Sequence, residues 1–240
     1  MIIGSGLLAN AFFPAFGNRQ DVCIYAAGVS NSNCDNAKEF SREGHRLEEA
    51  LRHADFVDAF VYFGTCSVAD PGAVDTPYVR HKLAMEYLVR SFPRNLILRL
   101  PNVAGRTPNP HTLLNFLYAH IARGESFALW GKAKRNVIDI DDVAGIAREM
   151  IEDRSARRIT RSIANSRNYS LLNIVQAMES VVGKKGVFDV VEKGHEYPIE
   201  TSSISHFVRA AGVEFGADYL TKVLVKYYRK VVNGYGFSLT

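Results

Sequence analysis

Short apolar runs alternate along this chain with longer segments in which apolar residues recur at helical spacing. The apolar runs predict six strands, at residues 1–3, 22–27, 60–63, 95–100, 136–140 and 161–164. The amphipathic segments predict helices at residues 7–16, 38–53, 78–91, 112–123, 143–151, 171–182 and 217–232. Strands separated by helices are typical of a parallel sheet with helices on its faces, so the expected fold class is α/β.

Composition narrows the class of protein. The chain has 240 residues, of which 47% are hydrophobic and 22% charged, as in globular domains. Its net charge of +4 suits an anionic small molecule and does not require a nucleic acid partner. The three cysteines, Cys23, Cys34 and Cys66, lack metal-ligand spacing and predict reduced thiols. With no signal peptide and no membrane-spanning run, we expect a cytoplasmic protein without a membrane partner or a metal.

A glycine turn joins the first predicted strand to the first predicted helix. Residues 4–9 read Gly-Ser-Gly-Leu-Leu-Ala, which matches Gly-x-Gly-x-x-Ala. The first glycine permits a tight turn, the second lets backbone approach a pyrophosphate, and the helix N-terminus offers N–H groups to phosphates. No acidic residue follows the second predicted strand to bind a ribose, since residues 26–30 read Ala-Ala-Gly-Val-Ser. An ordinary glycine-rich turn stays open as the alternative.

Tyr78 and Lys82 are four residues apart in a predicted helix and therefore share one face. An ammonium beside a phenol favours the phenolate, so this pairing predicts a tyrosine that exchanges a proton near neutral pH. The same spacing also occurs by chance in many helices, which leaves a structural alternative.

Together with these two motifs, residues 26–30, 64–68, 99–105 and 135–143 resemble the extended short-chain dehydrogenase/reductase family, of the NAD-dependent epimerase/dehydratase type that acts on nucleotide sugars. The resemblance covers most of residues 1–182. It implies a reduced Rossmann-like parallel sheet with flanking helices and a small C-terminal substrate lobe. The implied cofactor domain comprises residues 1–105 with 136–165, and the substrate-binding lobe comprises residues 106–135 with 166–240.

The resemblance also implies a role for individual residues. Thr65 would hydrogen-bond the sugar oxygen, Tyr78 would act as general acid and base, and Lys82 would bind the nicotinamide ribose. NAD or NADP would be the cofactor, held by Tyr78, Lys82 and the residues Gly4, Ser5, Gly6, Leu7, Ala26, Ala27 and Gly28. A nucleotide-diphosphate sugar would be bound by Thr65 and by Asn102, His111, Trp130 and Arg135. Purely structural roles stay open as alternatives: caps at Thr65 and Asn102, a core position for Trp130, and a solvated loop around Arg135.

The chain departs from this family in three places. About two strands and two helices normally separate the glycine turn from the Ala-Ala-Gly strand, whereas only residues 7–21 do so here. Ser41 lies near the position where the family carries an asparagine. Cys66 and Ser67 replace the acid pair that sugar 4,6-dehydratases need.

The expected function is therefore an oxidoreductase or epimerase: an NAD(P)-dependent reductase or epimerase of a nucleotide-activated sugar, in surface polysaccharide biosynthesis. A member that binds a nucleotide sugar or a partner without redox turnover is the alternative. By resemblance, we also expect a homodimer formed through the helices at 38–53 and 78–91.

Overall fold

Strands and helices alternate along residues 1–229, which are the part of the chain that this computed structural model describes. The strands are β1 (Ile2–Ile3), β2 (Val22–Tyr25), β3 (Ala59–Thr65), β4 (Asn95–Leu100), β5 (Asn102–Ala104), β6 (Ser126–Trp130), β7 (Lys134–Asp139), β8 (Ile159–Ser162), β9 (Asn168–Ser170) and β10 (Val187–Val191). The helices are α1 (Leu7–Phe16), α2 (Ala37–Arg52), α3 (Pro77–Arg90), α4 (Leu113–Arg123), α5 (Ile140–Glu152), α6 (Leu171–Val182), α7 (Ser205–Ala210) and α8 (Tyr219–Tyr228). Two short 3-10 turns, Cys66–Ala69 and Ser202–Ile204, complete the described elements.

The α/β class predicted from the alternation is confirmed, and α1, α6 and β4 have the predicted bounds. Four short strands and one helix were not predicted from the sequence: β5, β6, β9, β10 and α7. The helix predicted at 217–232 is α8, and residues 230–232 of that prediction lie outside the described residues.

Two units divide the chain. The first contains Met1–Pro101, Ile140–Ala164 and Tyr197–Glu214. The second contains Asn102–Asp139, Asn165–Glu196 and the described residues from Phe215 onward.

A five-stranded parallel sheet forms the first unit, in the order β1-β2-β3-β4-β8. The central strand β3 is buried along nearly its whole length, as expected for a parallel strand covered on both faces. Tyr62 of β3 packs with Leu47 of α2 and Met85 of α3. Phe63 instead meets Phe12 of α1, with ring centroids 5.3 Å apart. Helices therefore cover both faces of this Rossmann-like sheet.

The first strand lies at an edge of this sheet, because β1 pairs with β2 alone among the described strands. In the usual dinucleotide-binding order 3-2-1-4-5-6, the first strand is internal. The described sheet thus corresponds to one side of that order, in agreement with the short segment found between the glycine turn and the second strand.

The second unit has two small sheets, β5-β7-β9 and β10-β6. Strands β5 and β7 are parallel, β7 and β9 antiparallel, and β10 and β6 parallel. Its core brings together fully or almost fully buried side chains of α4, α6 and α8, including Leu117, Ile174 and Leu224.

Cys23, Cys34 and Cys66 are free and buried. Among residues 1–229, no helix combines the length and the apolar character that crossing a membrane requires.

A buried ion pair joins α3 to β4 in the first unit. The side chain of Glu86 is inaccessible to solvent, and it accepts hydrogen bonds from Arg99 Nε at 2.9 Å and Nη2 at 2.7 Å. Arg90, about half exposed, approaches the same carboxylate at 3.2 Å. Since Gly64 has no side chain, Glu86 can lie against it: a Cβ there would be 2.5 Å from Glu86 Oε1.

We expect Glu86→Ala to lower the free energy of unfolding by about 3–5 kcal/mol, because it strands the Arg99 guanidinium beside the sheet. Arg90→Ala is the matched control and should cost less than about 1 kcal/mol, because that pair is solvated. Urea unfolding followed by circular dichroism measures both. Equal losses for the two variants would contradict the structural role assigned to the Arg99 pair.

Candidate active site

Two of the predicted site residues, Thr65 and Tyr78, lie where β3 ends and α3 begins. Thr65 is the last residue of β3, and its hydroxyl accepts a hydrogen bond from the Ser67 amide at 3.1 Å. Helix α3 begins at Pro77 behind the cap residue Thr76, an arrangement that favours helix initiation. The first turn then carries Tyr78, and the Thr65 side chain lies close enough to lower the pKa of its phenol. The shared site of Thr65 and Tyr78 and their catalytic roles stay predictions.

Lys82 lies one turn further along α3 and is only 3% exposed. Its ammonium donates to Glu43 Oε1 at 3.1 Å and to the Tyr62 hydroxyl at 3.3 Å. Within residues 1–229, no hydrogen bond joins Lys82 to Tyr78. The shared helix face predicted by the spacing is present, but the two polar ends turn to different partners.

The expectation that Lys82 favours a Tyr78 phenolate near neutral pH is wrong for this arrangement. Burial raises the pKa of Tyr78 to about 12, although the Thr65 side chain acts in the opposite direction. Burial likewise lowers the pKa of Lys82, against the attraction of Glu43. Tyr78 is thus a neutral phenol at physiological pH and can donate a proton.

Sequence reasoning missed Glu43, which is 2% exposed. We expected Ser41 near this position, but Ser41 is exposed on the outer side of α2. Glu43 instead lies on the buried stripe of α2 with Leu47 and Ala50. Burial raises the pKa of Glu43, but hydrogen bonding to His81, the charge of Lys82 and the Val29 amide outweigh it and bring the value to about 2. A glutamate in register with the apolar stripe was the available sequence signal.

The glycine turn combines a tight bend at Gly4 with open space at the start of α1. Gly4 has a φ of +133°, and a Cβ there would lie 2.5 Å from the Ala26 carbonyl oxygen, so the turn packs directly on the end of β2. A Cβ on Gly6 would meet nothing within 4 Å. Gly6 caps α1 without a side-chain hydrogen bond, and the first turn carries no acid. The amides at Gly6 and Leu7 can therefore face an anion across open space.

The remaining cofactor candidates fall into two groups. Ser5 is exposed in the glycine turn, and Ala26 and Ala27 are half-buried after β2. Gly28 touches the lysine site: a Cβ there would lie 2.6 Å from Lys82 Nζ and 2.9 Å from Glu43 Oε1. Only glycine lets this loop lie against the ammonium.

Apart from Thr65, the expected sugar-binding residues belong to the second unit. Asn102 donates from its side-chain nitrogen to the Asn136 carbonyl at 2.9 Å, which ties β5 to β7 next to Arg135. Arg135 is half-buried and donates to the Lys134 carbonyl at 2.8 Å. Trp130 is 44% exposed, which rules out a core position. His111 is exposed just before the cap of α4. Their contact with a substrate stays a prediction.

Comparison with known proteins identifies a family. A model described as "NAD dependent epimerase/dehydratase family" matches residues 15–163, and this match confirms the family predicted from the sequence segments. Comparison with curated proteins gives no match.

Solved structures share the fold. A UDP-glucose 4-epimerase from Thermus thermophilus in complex with NAD has a TM-score of 0.68 at 17% identity, covering 95% of this chain and 84% of that one. RMD from Pseudomonas aeruginosa with NADPH has a TM-score of 0.67 at 16% identity, covering 92% and 86%. A mutant UDP-glucuronic acid 4-epimerase from Bacillus cereus, with a fluorinated UDP-sugar and NAD, has a TM-score of 0.71 at 19% identity, covering 94% and 77%. The expected cofactor class, NAD or NADP, is the one that the family description and these complexes carry.

The buried phenol generates a spectroscopic prediction. Because burial raises the pKa of Tyr78 to about 12, the wild type and Tyr78→Phe should show the same tyrosinate absorbance between pH 6 and pH 9. A titration followed near 295 nm checks this. A phenolate with a midpoint near neutral pH that disappears in Tyr78→Phe would show that the phenol is activated after all.

Proposed function

Because the chain belongs to the NAD dependent epimerase/dehydratase family, we propose that it is an NAD(P)-dependent epimerase or ketoreductase of a nucleotide-activated sugar. The observation that carries this proposal is the placement of Thr65 close enough to Tyr78 to act on the pKa of its phenol, with Lys82 one helical turn away. The solved relatives with UDP-sugars support a nucleotide-diphosphate sugar as substrate. Surface polysaccharide biosynthesis is the setting we propose.

NAD(P), when bound, supplies the acceptor or donor of hydride at a sugar carbon. The residues of this chain would handle the proton. Tyr78, neutral at physiological pH, would donate its proton to a carbonyl oxygen as that oxygen gains charge, and would recover a proton in the reverse direction. Thr65 would hold the same oxygen by its hydroxyl group. Lys82 would place a fixed positive charge beside the loop at Gly28.

The residues of the glycine turn fit the pyrophosphate of such a cofactor. Gly6 leaves open space at the N-terminus of α1, and Gly4 brings the turn against Ala26. Arg135 of β7, in the second unit, is the candidate for the substrate diphosphate. Its neighbours Lys132 and Lys134 are paired with Glu192 at 3.2 Å and with Glu196 at 2.7 Å.

A second candidate function is binding without redox turnover. Two observations favour it: Lys82 is almost fully covered, and β1 lies at the sheet edge with no further described strand beside it to carry the adenosine half. In this case a nucleotide sugar would be retained but not oxidised or reduced.

We also propose a homodimer formed through α2 and α3. Tyr87 of α3 is 76% exposed and offers apolar surface for such a contact.

We expect Tyr78→Phe to reduce turnover of a keto-sugar nucleotide with NAD(P)H by about 100-fold or more, because proton transfer contributes 10²- to 10⁴-fold. Tyr87→Phe, on the exposed side of the same helix, should leave turnover unchanged. Oxidation of NAD(P)H followed at 340 nm measures both. Undiminished turnover in Tyr78→Phe would remove this residue from the chemistry.

A thermal-shift panel separates the two candidate functions. NADH, NADPH and UDP-sugars are each added to the wild type at increasing concentration. A ligand at about 100 times its dissociation constant should stabilise by about 2.7 kcal/mol, and for a chain of this length that corresponds to roughly 5–10 °C. Shifts with a dinucleotide as well as with a UDP-sugar are expected for the enzyme. A shift with UDP-sugars alone would contradict redox function and favour the binding protein.

A further inference from the structure

Glu43 is a buried carboxylate that the proposed chemistry does not yet use. It is 2% exposed and meets four polar groups from three segments of the first unit. These are the Val29 amide at 2.6 Å, the Tyr62 hydroxyl at 2.9 Å, His81 Nε2 at 2.9 Å and Lys82 Nζ at 3.1 Å. An ionised carboxylate can only accept, so all four groups donate to it.

The lysine needs such a partner. An ammonium that is 3% exposed has lost its water, and an unpaired charge in that position would be expelled or neutralised. Burial lowers the pKa of Lys82, and Glu43 is the group that opposes this shift most strongly. A neutral amide at position 43 could accept the hydrogen bond, but it could not compensate the charge.

The other groups around the pair have different tasks. Tyr62 of β3 bridges Glu43 and Lys82, and Tyr25 of β2 donates to the Glu43 backbone carbonyl at 3.1 Å. Glu86, on the same helix as Lys82, is occupied by Arg99 and Arg90. Within residues 1–229, Glu43 is therefore the one carboxylate at hydrogen-bond distance from Lys82.

We propose that Glu43 is the positioning residue of Lys82: it keeps the buried amine protonated and holds it against Gly28, with one N–H group left for a cofactor hydroxyl. An ammonium has three N–H groups, and Glu43 and Tyr62 accept from two of them in the described residues. The Val29 amide fixes the same carboxylate to the loop after β2, so one side chain sets both the charge and its place. The catalytic consequence rests on the proposed function, whereas the claim about Lys82 does not.

The test follows the protonation of Lys82 directly. Protein labelled with ¹⁵N-lysine is titrated by NMR, and the Nζ signal of Lys82 is assigned by its loss in Lys82→Met. In Glu43→Gln, the titration midpoint of Lys82 should fall by about one pH unit or more, since an opposite charge within 4–6 Å is removed. Glu48→Gln, on the exposed side of the same helix, should leave the midpoint unchanged. An unchanged midpoint in Glu43→Gln would overturn the proposal.

A second variant covers the case in which Glu43→Gln does not fold. Glu43→Asp keeps the charge, but its side chain is one methylene shorter and the carboxylate lies farther from the amine. The Lys82 midpoint should therefore fall less than in Glu43→Gln. No fall in Glu43→Asp would count against the proposal. For the active enzyme, the alkaline limb of the pH profile of kcat/KM should move to lower pH in both Glu43 variants, less in Glu43→Asp than in Glu43→Gln. Glu48→Gln should keep the wild-type profile.

The experiments can refute the proposed function and the assignment of Glu43 independently of each other. If the wild type turns over no sugar nucleotide but the Lys82 midpoint still falls in Glu43→Gln, the proposed function is wrong and the assignment of Glu43 stands. If the wild type is active and the midpoint does not move, the assignment of Glu43 is wrong and the proposed function stands.

Discussion

A single carboxylate ties together the segments on which the candidate site depends. Removing an ionised side chain from water costs several kcal/mol, and the chain recovers this only if every oxygen of Glu43 is satisfied. The partners come from the loop after β2, from β3 and from α3. Each of these segments is therefore placed with respect to α2, and the amine of Lys82 is placed with respect to all of them. The position of Tyr78, one turn earlier on α3, follows from the same constraint.

The phosphate side of the unit depends on backbone geometry instead. Gly4 packs on the Ala26 carbonyl in a conformation that other residues rarely adopt, and this contact fixes the glycine turn to the end of β2. Because β1 pairs directly with β2, the turn and the Gly28 loop are joined through two neighbouring strands. The geometry that could hold a pyrophosphate thus needs only β1, α1 and β2. This explains how the shortened sheet can keep that half of a cofactor site.

Apart from α7, the helices and strands of the first unit could be predicted because their apolar signals are strong. β3 is a run of apolar residues between polar turns, and α1 contains apolar residues almost throughout. The short strands of the second unit give weaker signals. β6 alternates over five residues only, and β10 exposes Val187 and Val190. Three-residue strands such as β5 and β9 are defined by their partners, which periodicity along the chain does not reveal.

The site shows the same division between local and long-range information. Spacing along α3 correctly placed Tyr78 and Lys82 on one face, because helical geometry is local. The spacing did not predict which groups the phenol and the ammonium contact. Glu43 lies 39 residues before Lys82 in the chain, and packing between α2 and α3 decides which residues of the two helices meet. Ser41, which we placed near the position of the family's asparagine, is two positions away in sequence but about half a turn away around α2, and it is exposed.

The burial of Lys82 decides how a cofactor could contact its amine. An amine that is 3% exposed offers little surface, yet a hydrogen bond needs only one N–H group and an approach from one side. The Gly28 loop lies directly against Lys82 Nζ, since a Cβ at Gly28 would be 2.6 Å from it, and a cofactor hydroxyl reaches the amine from this side only if the loop moves. Burial also strengthens the field of the ammonium at whatever lies beside it. Near-complete coverage by Glu43 and Tyr62 is therefore compatible with a fixed charge that acts on a bound ribose, provided that the loop at Gly28 gives way.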